Sequence, residues 1–204
     1  MNDALKIIQQ EALATEDLRR EFFSKNAGSM AEAALHTARA LANGGKLLIC
    51  GNGGSAADAQ HVAGEFVNRF LIDRPALPAI SLATDTSVIT AIGNDSAFRQ
   101  IFARQVEALG RQGDVLLAIS TSGNSQNVLE AMAVARRQKM FIIGLTGMGG
   151  KMAELADILI SAPSAHTPHI QELHLVFEHL FCRLTDYFMF ENPSELGRIM
   201  GENN

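Results

Sequence analysis

Apolar positions along the chain follow two rhythms. In the first forty or so residues they recur three and four apart, as on one face of a helix. They predict two helical segments, one from Leu5, Ile8 and Leu13 to Phe22 and Phe23, the other from Met30 to Leu41. NGG at 43–45 closes the second, as glycine does at helix C-termini. After it come short, nearly uninterrupted apolar runs: KLLIC (46–50), LPAISL (77–82), DVLLAIS (114–120), FIIGLT (141–146) and DILISAP (157–163). Runs with so little alternation are strands covered on both faces. Helical patterning lies between them at 55–70, 124–137 and 151–156, with a turn region followed by a helix at 95–111. A long helix at 171–190 follows the last strand.

Strand and helix alternating in this way require parallel strands joined by right-handed crossovers. The expected fold is α/β, a three-layer α/β/α sandwich on a five-stranded parallel sheet of flavodoxin-like type, with ligands beyond the strand C-termini. The N-terminal helices and the 171–190 helix are extra to the sheet and rich in Leu, Phe and Ala, which suits a subunit interface. Residues 1–190 read as one domain; the tail ENPSELGRIMGENN (191–204) reads as frayed or loosely docked.

The chain has 204 residues, 47% of them hydrophobic and 19% charged, enough to bury one sizeable core. No apolar run reaches membrane-spanning length, and the N-terminus has scattered charges in place of a basic start and apolar core, so the expectation is a cytoplasmic protein without a secretory signal. Cys50 and Cys182 are far apart in sequence and read as buried thiols. A net charge of -5, one Tyr and no Trp argue against nucleic acid and anionic membrane as partners.

Two loops carry candidate chemistry. CGNGGSAADAQHVAGE (50–65) follows the first strand, and STSGNSQN (120–127) follows the third. Small residues let backbone approach a ligand, and a helix N-terminus offers unpaired N–H groups to an anion. Ser120, Thr121, Ser122 and Ser125 add hydroxyl donors without charge, which suits an alkyl phosphate. Taken singly, such loops are also what N-capping and turn preferences produce. The first loop satisfies a dinucleotide fingerprint loosely through Gly51, Gly53 and Ala56. The nearest acid for a ribose, Asp85, lies too far along, and a P-loop Lys is absent.

LLAISTSGNSQNV, with CGNGGSAADAQHVAGEF and AIGND, resembles the sugar isomerase (SIS) domain and, within it, the sedoheptulose-7-phosphate isomerase, or phosphoheptose isomerase, family. The resemblance extends from the N-terminal helices to about Tyr187. It implies an aldose-ketose isomerase acting on sedoheptulose 7-phosphate, with the heptose product feeding bacterial lipopolysaccharide or other surface polymers. By the same resemblance a divalent metal, usually Zn2+, is held by His61, Glu65, Gln171 and His179, and Glu65 and His179 form the acid/base pair. Substrate contacts carry over to Asn52, Gly53, Gly54, Ser55, Glu65, Asn94, Asp95, Ser120, Thr121, Ser122, Ser125 and Gln171. Asn94 and Asp95 are expected in a turn. Pro168 and His169 replace a more usual acidic-basic pair just before the last helix.

His61 and Glu65 are four apart, on one face of a helix. Each alone would pass as a core histidine or a solvated acid. HIQELHLVFEH adds Gln171, His174 and His179. Gln171 and His179, eight residues apart, would stand about 12 Å apart along a straight helix, a long stretch for two ligands of one metal. Either the helix begins after Gln171 or the ligands come from different subunits. Glu65 serves as base, ligand or both. Arg69, one turn beyond Glu65, pairs with it, reaches substrate or stays solvated. The resemblance implies a homotetramer with sites between subunits. A rival reading is a non-catalytic SIS-fold protein that binds the bacterial replication initiator, similar in NRF, RPALPAI and TAI-ND but lacking the catalytic Glu and final His. A sugar-phosphate-sensing module would need a fused DNA-binding segment.

Overall fold

The computed structural model describes residues 1–194 and 196. Five strands, β1 (Leu47–Cys50), β2 (Ala79–Ser81), β3 (Val115–Ser120), β4 (Phe141–Thr146) and β5 (Ile158–Ser161), form one parallel sheet in the order β2-β1-β3-β4-β5. Side chains along each strand alternate between two covers. Leu47, Ile49, Leu117, Ile119, Ile143 and Ile160 pack under α1 (Asn2–Ala42), α2 (Gly54–Val67) and α6 (Thr167–Asp186). Leu48, Cys50, Leu116, Ala118 and Ile142 face α4 (Ala103–Leu109) and α5 (Gln126–Arg137). Near-continuous apolar strands are the consequence of this two-sided burial, and the expected three-layer α/β/α sandwich is the fold observed.

The order has its switch point between β1 and β3. These neighbours send their following segments to opposite faces of the sheet, so a crevice opens beyond their C-terminal ends. Both glycine-rich loops lie there.

Three elements differ from the sequence-based expectation. The N-terminal helices are one 41-residue helix. Its apparent break, KNAGS, stays helical because Asn26 has long-range work: it donates to Phe22 O and Ser161 O and accepts from Ser161 N, pairing the exposed edge of β5. The turn before 95–111 is a helix, α3 (Thr86–Asp95), so Asn94 and Asp95 end a helix. Asp85, considered above for a ribose, caps that helix through Val88 N. The helix expected over 95–111 is a short 3-10 turn at Phe98–Gln100 followed by α4. Of the tail, 195 and 197–204 lie outside the described residues, while Leu196 is buried in the core.

Gly123 illustrates how tightly the second loop is closed. Its φ is +65°, and a Cβ there would overlap the carbonyl oxygen of Gly149 in the loop after β4. Gly123→Ala is expected to lower stability by at least about 2 kcal/mol in urea denaturation. Gly28→Ala, in α1 with nothing within 4 Å of an added Cβ, should instead gain up to about 1 kcal/mol from helix propensity; a loss there would count against one continuous helix.

Candidate active site

The first loop turns through Gly53 into α2, with Ser55 N and Ala56 N returning to Asn52 O and Gly53 O. In the second, Ser120 Oγ lies 2.9 Å from Ser125 Oγ and 3.4 Å from Ser122 Oγ, and Asn124 N donates to Ser122 Oγ. These hydroxyls bond one another and surround the start of α5, a group of donors suited to anionic oxygens. The loop after β4 braces them from outside: Gly147 N donates to Thr121 O, Met152 N to Gly123 O and Lys151 N to Asn124 Oδ1.

The two loops are joined by a reciprocal amide pair. Asn52 Nδ2 donates to Asn127 Oδ1 at 2.9 Å, and Asn127 Nδ2 donates back to Asn52 Oδ1 at 2.7 Å. Asn127 is buried and also accepts from Val128 N. In the sequence Asn127 stood only as the last residue of STSGNSQN; the signal was a buried amide beside Val128 and Leu129 at the start of α5.

From this crevice α2 and α6 run side by side and parallel. The first contact is at Gly54, where a Cβ would overlap Gln171 Nε2. Seven residues on along α2 and eight along α6, about 10–12 Å further, His61 Nε2 lies 3.0 Å from His179 Nε2. The rings meet edge-on with centroids 5.1 Å apart, and Phe70 stacks on His179. Glu65 Oε1 is 3.9 Å from His61 Nδ1. Phe66 then packs on Phe181. The structure thus brings His61, Glu65 and His179 together in one chain and leaves Gln171 at the other end of the seam, beside the loops.

The helix of Gln171 begins before it, at Thr167, with Pro168 in the first turn as proline prefers. The alternative of a late helix start therefore falls. His169 Nε2 lies 2.9 Å from Glu11 of α1. Helix α2 stops at Val67, short of the expected 70, so Arg69 is past its end and exposed. Asn94 and Asp95 are exposed and hydrogen-bonded to each other; no hydrogen bond among the described residues ties them to the loops or the seam.

The two facing Nε2 atoms fit one divalent cation. Two imidazole nitrogens about 2.05 Å from a tetrahedral zinc stand about 3.3 Å apart, close to the 3.0 Å here. Glu65 Oε1 lies on the Nδ1 side of the same His61 ring, and Gln171 sits beside Gly54 at the other end of the seam. Among the described residues no group of three His, Cys, Asp or Glu is arranged to hold a metal.

Behind the pair lies a buried polar group. His174 Nε2 contacts Thr146 O at 3.1 Å, and burial lowers its pKa to about 4, so it is neutral and donates to that carbonyl. Glu178 is fully buried with neither carboxylate oxygen hydrogen-bonded. Burial, then the charge of Asp58, raises its pKa to about 8. The Asp58 carboxyl is itself raised by burial, with nearby His61 opposing. Glu178 and Asp58 had not been singled out in the sequence, although Glu178 interrupts the apolar stripe of Ile170, Phe177 and Phe181.

A family model described as the SIS domain matches residues 13–147. The phosphoheptose isomerase of Desulfovibrio desulfuricans is 58% identical over 198 residues, 96% of this chain and 94% of that protein. That of Burkholderia pseudomallei is 57% identical over 151 residues, 74% of this chain and 77% of its own. The solved phosphoheptose isomerase of Neisseria gonorrhoeae superposes with a TM-score of 0.85 at 42% identity, covering 90% of this chain and 98% of that one. For that of Francisella tularensis the values are 0.87, 40%, 90% and 98%.

Glu178 has a measurable pH signature. Between its usual pKa of 4.5 and about 8, the folded protein keeps a proton that the unfolded chain has shed, so its contribution to stability falls as pH rises through that window. His174 acts oppositely, costing stability as pH falls below 6.5 toward about 4. Glu178→Gln should stabilise by about 1–3 kcal/mol at pH 7 and little at pH 5. Urea midpoints across pH 5–8 check this; a wild-type slope in the variant would contradict it.

Proposed function

The chain belongs to the phosphoheptose isomerase family of SIS-domain enzymes, and we propose that it interconverts sedoheptulose 7-phosphate and D-glycero-D-manno-heptose 7-phosphate for bacterial heptose and lipopolysaccharide biosynthesis. A sugar phosphate isomerase needs a cradle for the phosphate and an acid/base pair at the carbonyl end. The single observation that carries the reading is the close approach of His61 and His179, with Glu65 beside them. The rival, an initiator-binding protein lacking the catalytic Glu and final His, is disfavoured by the presence of both residues here and by relatives named as isomerases.

In this reading Ser120, Thr121, Ser122 and Ser125 take the phosphate, together with N–H groups at the start of α5. Asn52, Gly53, Gly54 and Ser55 line the other wall, and Asn94 and Asp95 meet sugar hydroxyls. Glu65 removes the C1 proton of the ketose, giving an enediolate, and a proton is delivered to C2; His179 moves the proton between the oxygens. His61, Glu65 and His179 of one chain with Gln171 of a neighbour would hold one Zn2+. When bound, that ion supplies Lewis-acid polarisation of the C1 and C2 oxygens.

The position of Gln171 argues for a shared site. A two-fold axis that lays two α2/α6 seams antiparallel sets the loop end of each chain, with its Gln171, against the histidine pair of the other. Such contacts are isologous and build a D2 homotetramer when repeated about a second axis. The exposed Leu5, Ile8 and Leu13 on the first half of α1 supply apolar surface for assembly. Among the described residues no helix is long and apolar enough to cross a membrane. Cys50 and Cys182 are buried free thiols, which accords with a cytoplasmic setting.

Turnover in D2O tests the chemistry. With zinc supplied, sedoheptulose 7-phosphate should yield the aldose with deuterium at C2 by NMR, and Glu65→Ala and His179→Ala should each lower kcat by at least about 100-fold. No turnover, or full kcat in both variants, would overturn the proton-transfer reading.

A further inference from the structure

We propose that Arg74 is a positioning residue for the acid/base pair, a clamp that fixes the register of α2 against α6. The inference rests on the isomerase reading above. The segment after α2 folds back beneath that helix, with Leu77 N donating to Phe66 O, and delivers one guanidinium to the C-terminal ends of both helices. Arg74 Nη2 donates to Glu65 O at 2.9 Å and Nη1 to Phe66 O at 2.9 Å and Pro75 O at 3.1 Å. Arg74 Nε donates to Asp186 Oδ1, at the end of α6, at 2.6 Å. The last carbonyls of a helix have no partners within it. Here two of them, one belonging to the proposed base itself, are tied to the neighbouring helix through a single side chain.

Geometry makes this clamp consequential. His179 lies seven residues before Asp186, about 10 Å along α6, and the opposite end of the seam is set by the contact of Gly54 with Gln171. Sliding one helix by a single residue, about 1.5 Å, would stretch the separation of the two Nε2 atoms from 3.0 Å to about 3.4 Å, outside the ordinary hydrogen-bond range. Misplacement on that scale can cost an enzyme about 100-fold in rate.

Stability alone is a poor account of the clamp. The Arg74 and Asp186 side chains are 2% and 3% exposed, and Asp186 Oδ2 has no hydrogen-bond partner. Buried ion pairs of this kind are often replaced by apolar residues without loss of stability. A directional tie between Glu65 O and α6 is what an apolar pair could not supply.

Two variants test the inference against a merely structural role. Arg74→Lys keeps the charge opposite Asp186 but not the fork. The double variant Arg74→Met, Asp186→Leu removes both charges together. Each should keep KM for sedoheptulose 7-phosphate within about twofold, because the phosphate loops are untouched, while kcat falls at least tenfold. Zinc affinity, read by chelator competition, should fall as well. If wild type is active and Arg74→Lys retains full kcat and zinc affinity, the clamp is refuted. The same holds if kcat falls only in proportion to lost folded protein, measured by circular dichroism, with KM unchanged. If wild type itself is inactive, it is the isomerase reading that fails.

Discussion

The parallel packing of α2 on α6 is the contact on which the proposed chemistry depends. A glycine at its start admits the Gln171 amide, and beyond the histidines two phenylalanines pack together before a buried ion pair closes its far end. Between these fixed points His61 and His179 meet at 3.0 Å. Neither residue is held by its own helix alone; each is placed by the register of one helix against the other. The same register separates Gln171 from the pair by about two helical turns, which is why the proposed ligand set takes its Gln171 from a second chain.

The sheet provides the other half of the arrangement. Its order places the crevice at β1 and β3, where a hydroxyl-rich loop and a glycine-rich loop face each other across the Asn52–Asn127 amide pair. The loops contribute donors without net charge, and in the proposed mechanism Glu65 and His179 supply the proton-transfer groups away from them. A phosphate held at one end and a carbonyl worked on at the other is the division of labour expected for a sugar phosphate isomerase, and it joins rigid elements at both ends.

Much of this was legible in the sequence because the features are local. Uninterrupted apolar runs gave all five strands, glycine and hydroxyl content marked both loops, and the spacing of His61 and Glu65 placed them on one face. What escaped was set by partners distant in the chain. KNAGS reads as a helix break until Asn26 is seen pairing the edge of β5. The α3 helix was hidden because TSVIT is β-branched and its Asp85 cap resembles a turn signal. Arg74 in RPALPAI looks like an ordinary loop cation, and only the fold brings Glu65 O and Asp186 to it. The separation of Gln171 and His179 was legible in the sequence, and the helix start at Thr167 removes the alternative in which the helix begins after Gln171.

The most direct test of this account is subunit mixing after dissociation and reassembly, read as isomerase activity. Glu65→Ala mixed with His179→Ala should stay inactive, because both residues come from one chain and every site lacks one of them. Gln171→Ala mixed with His179→Ala should regain part of the wild-type rate, since some hybrid sites receive an intact Gln171 from one chain and an intact His179 from the other. Recovery in the first mixture together with none in the second would contradict the seam as the unit that builds the site.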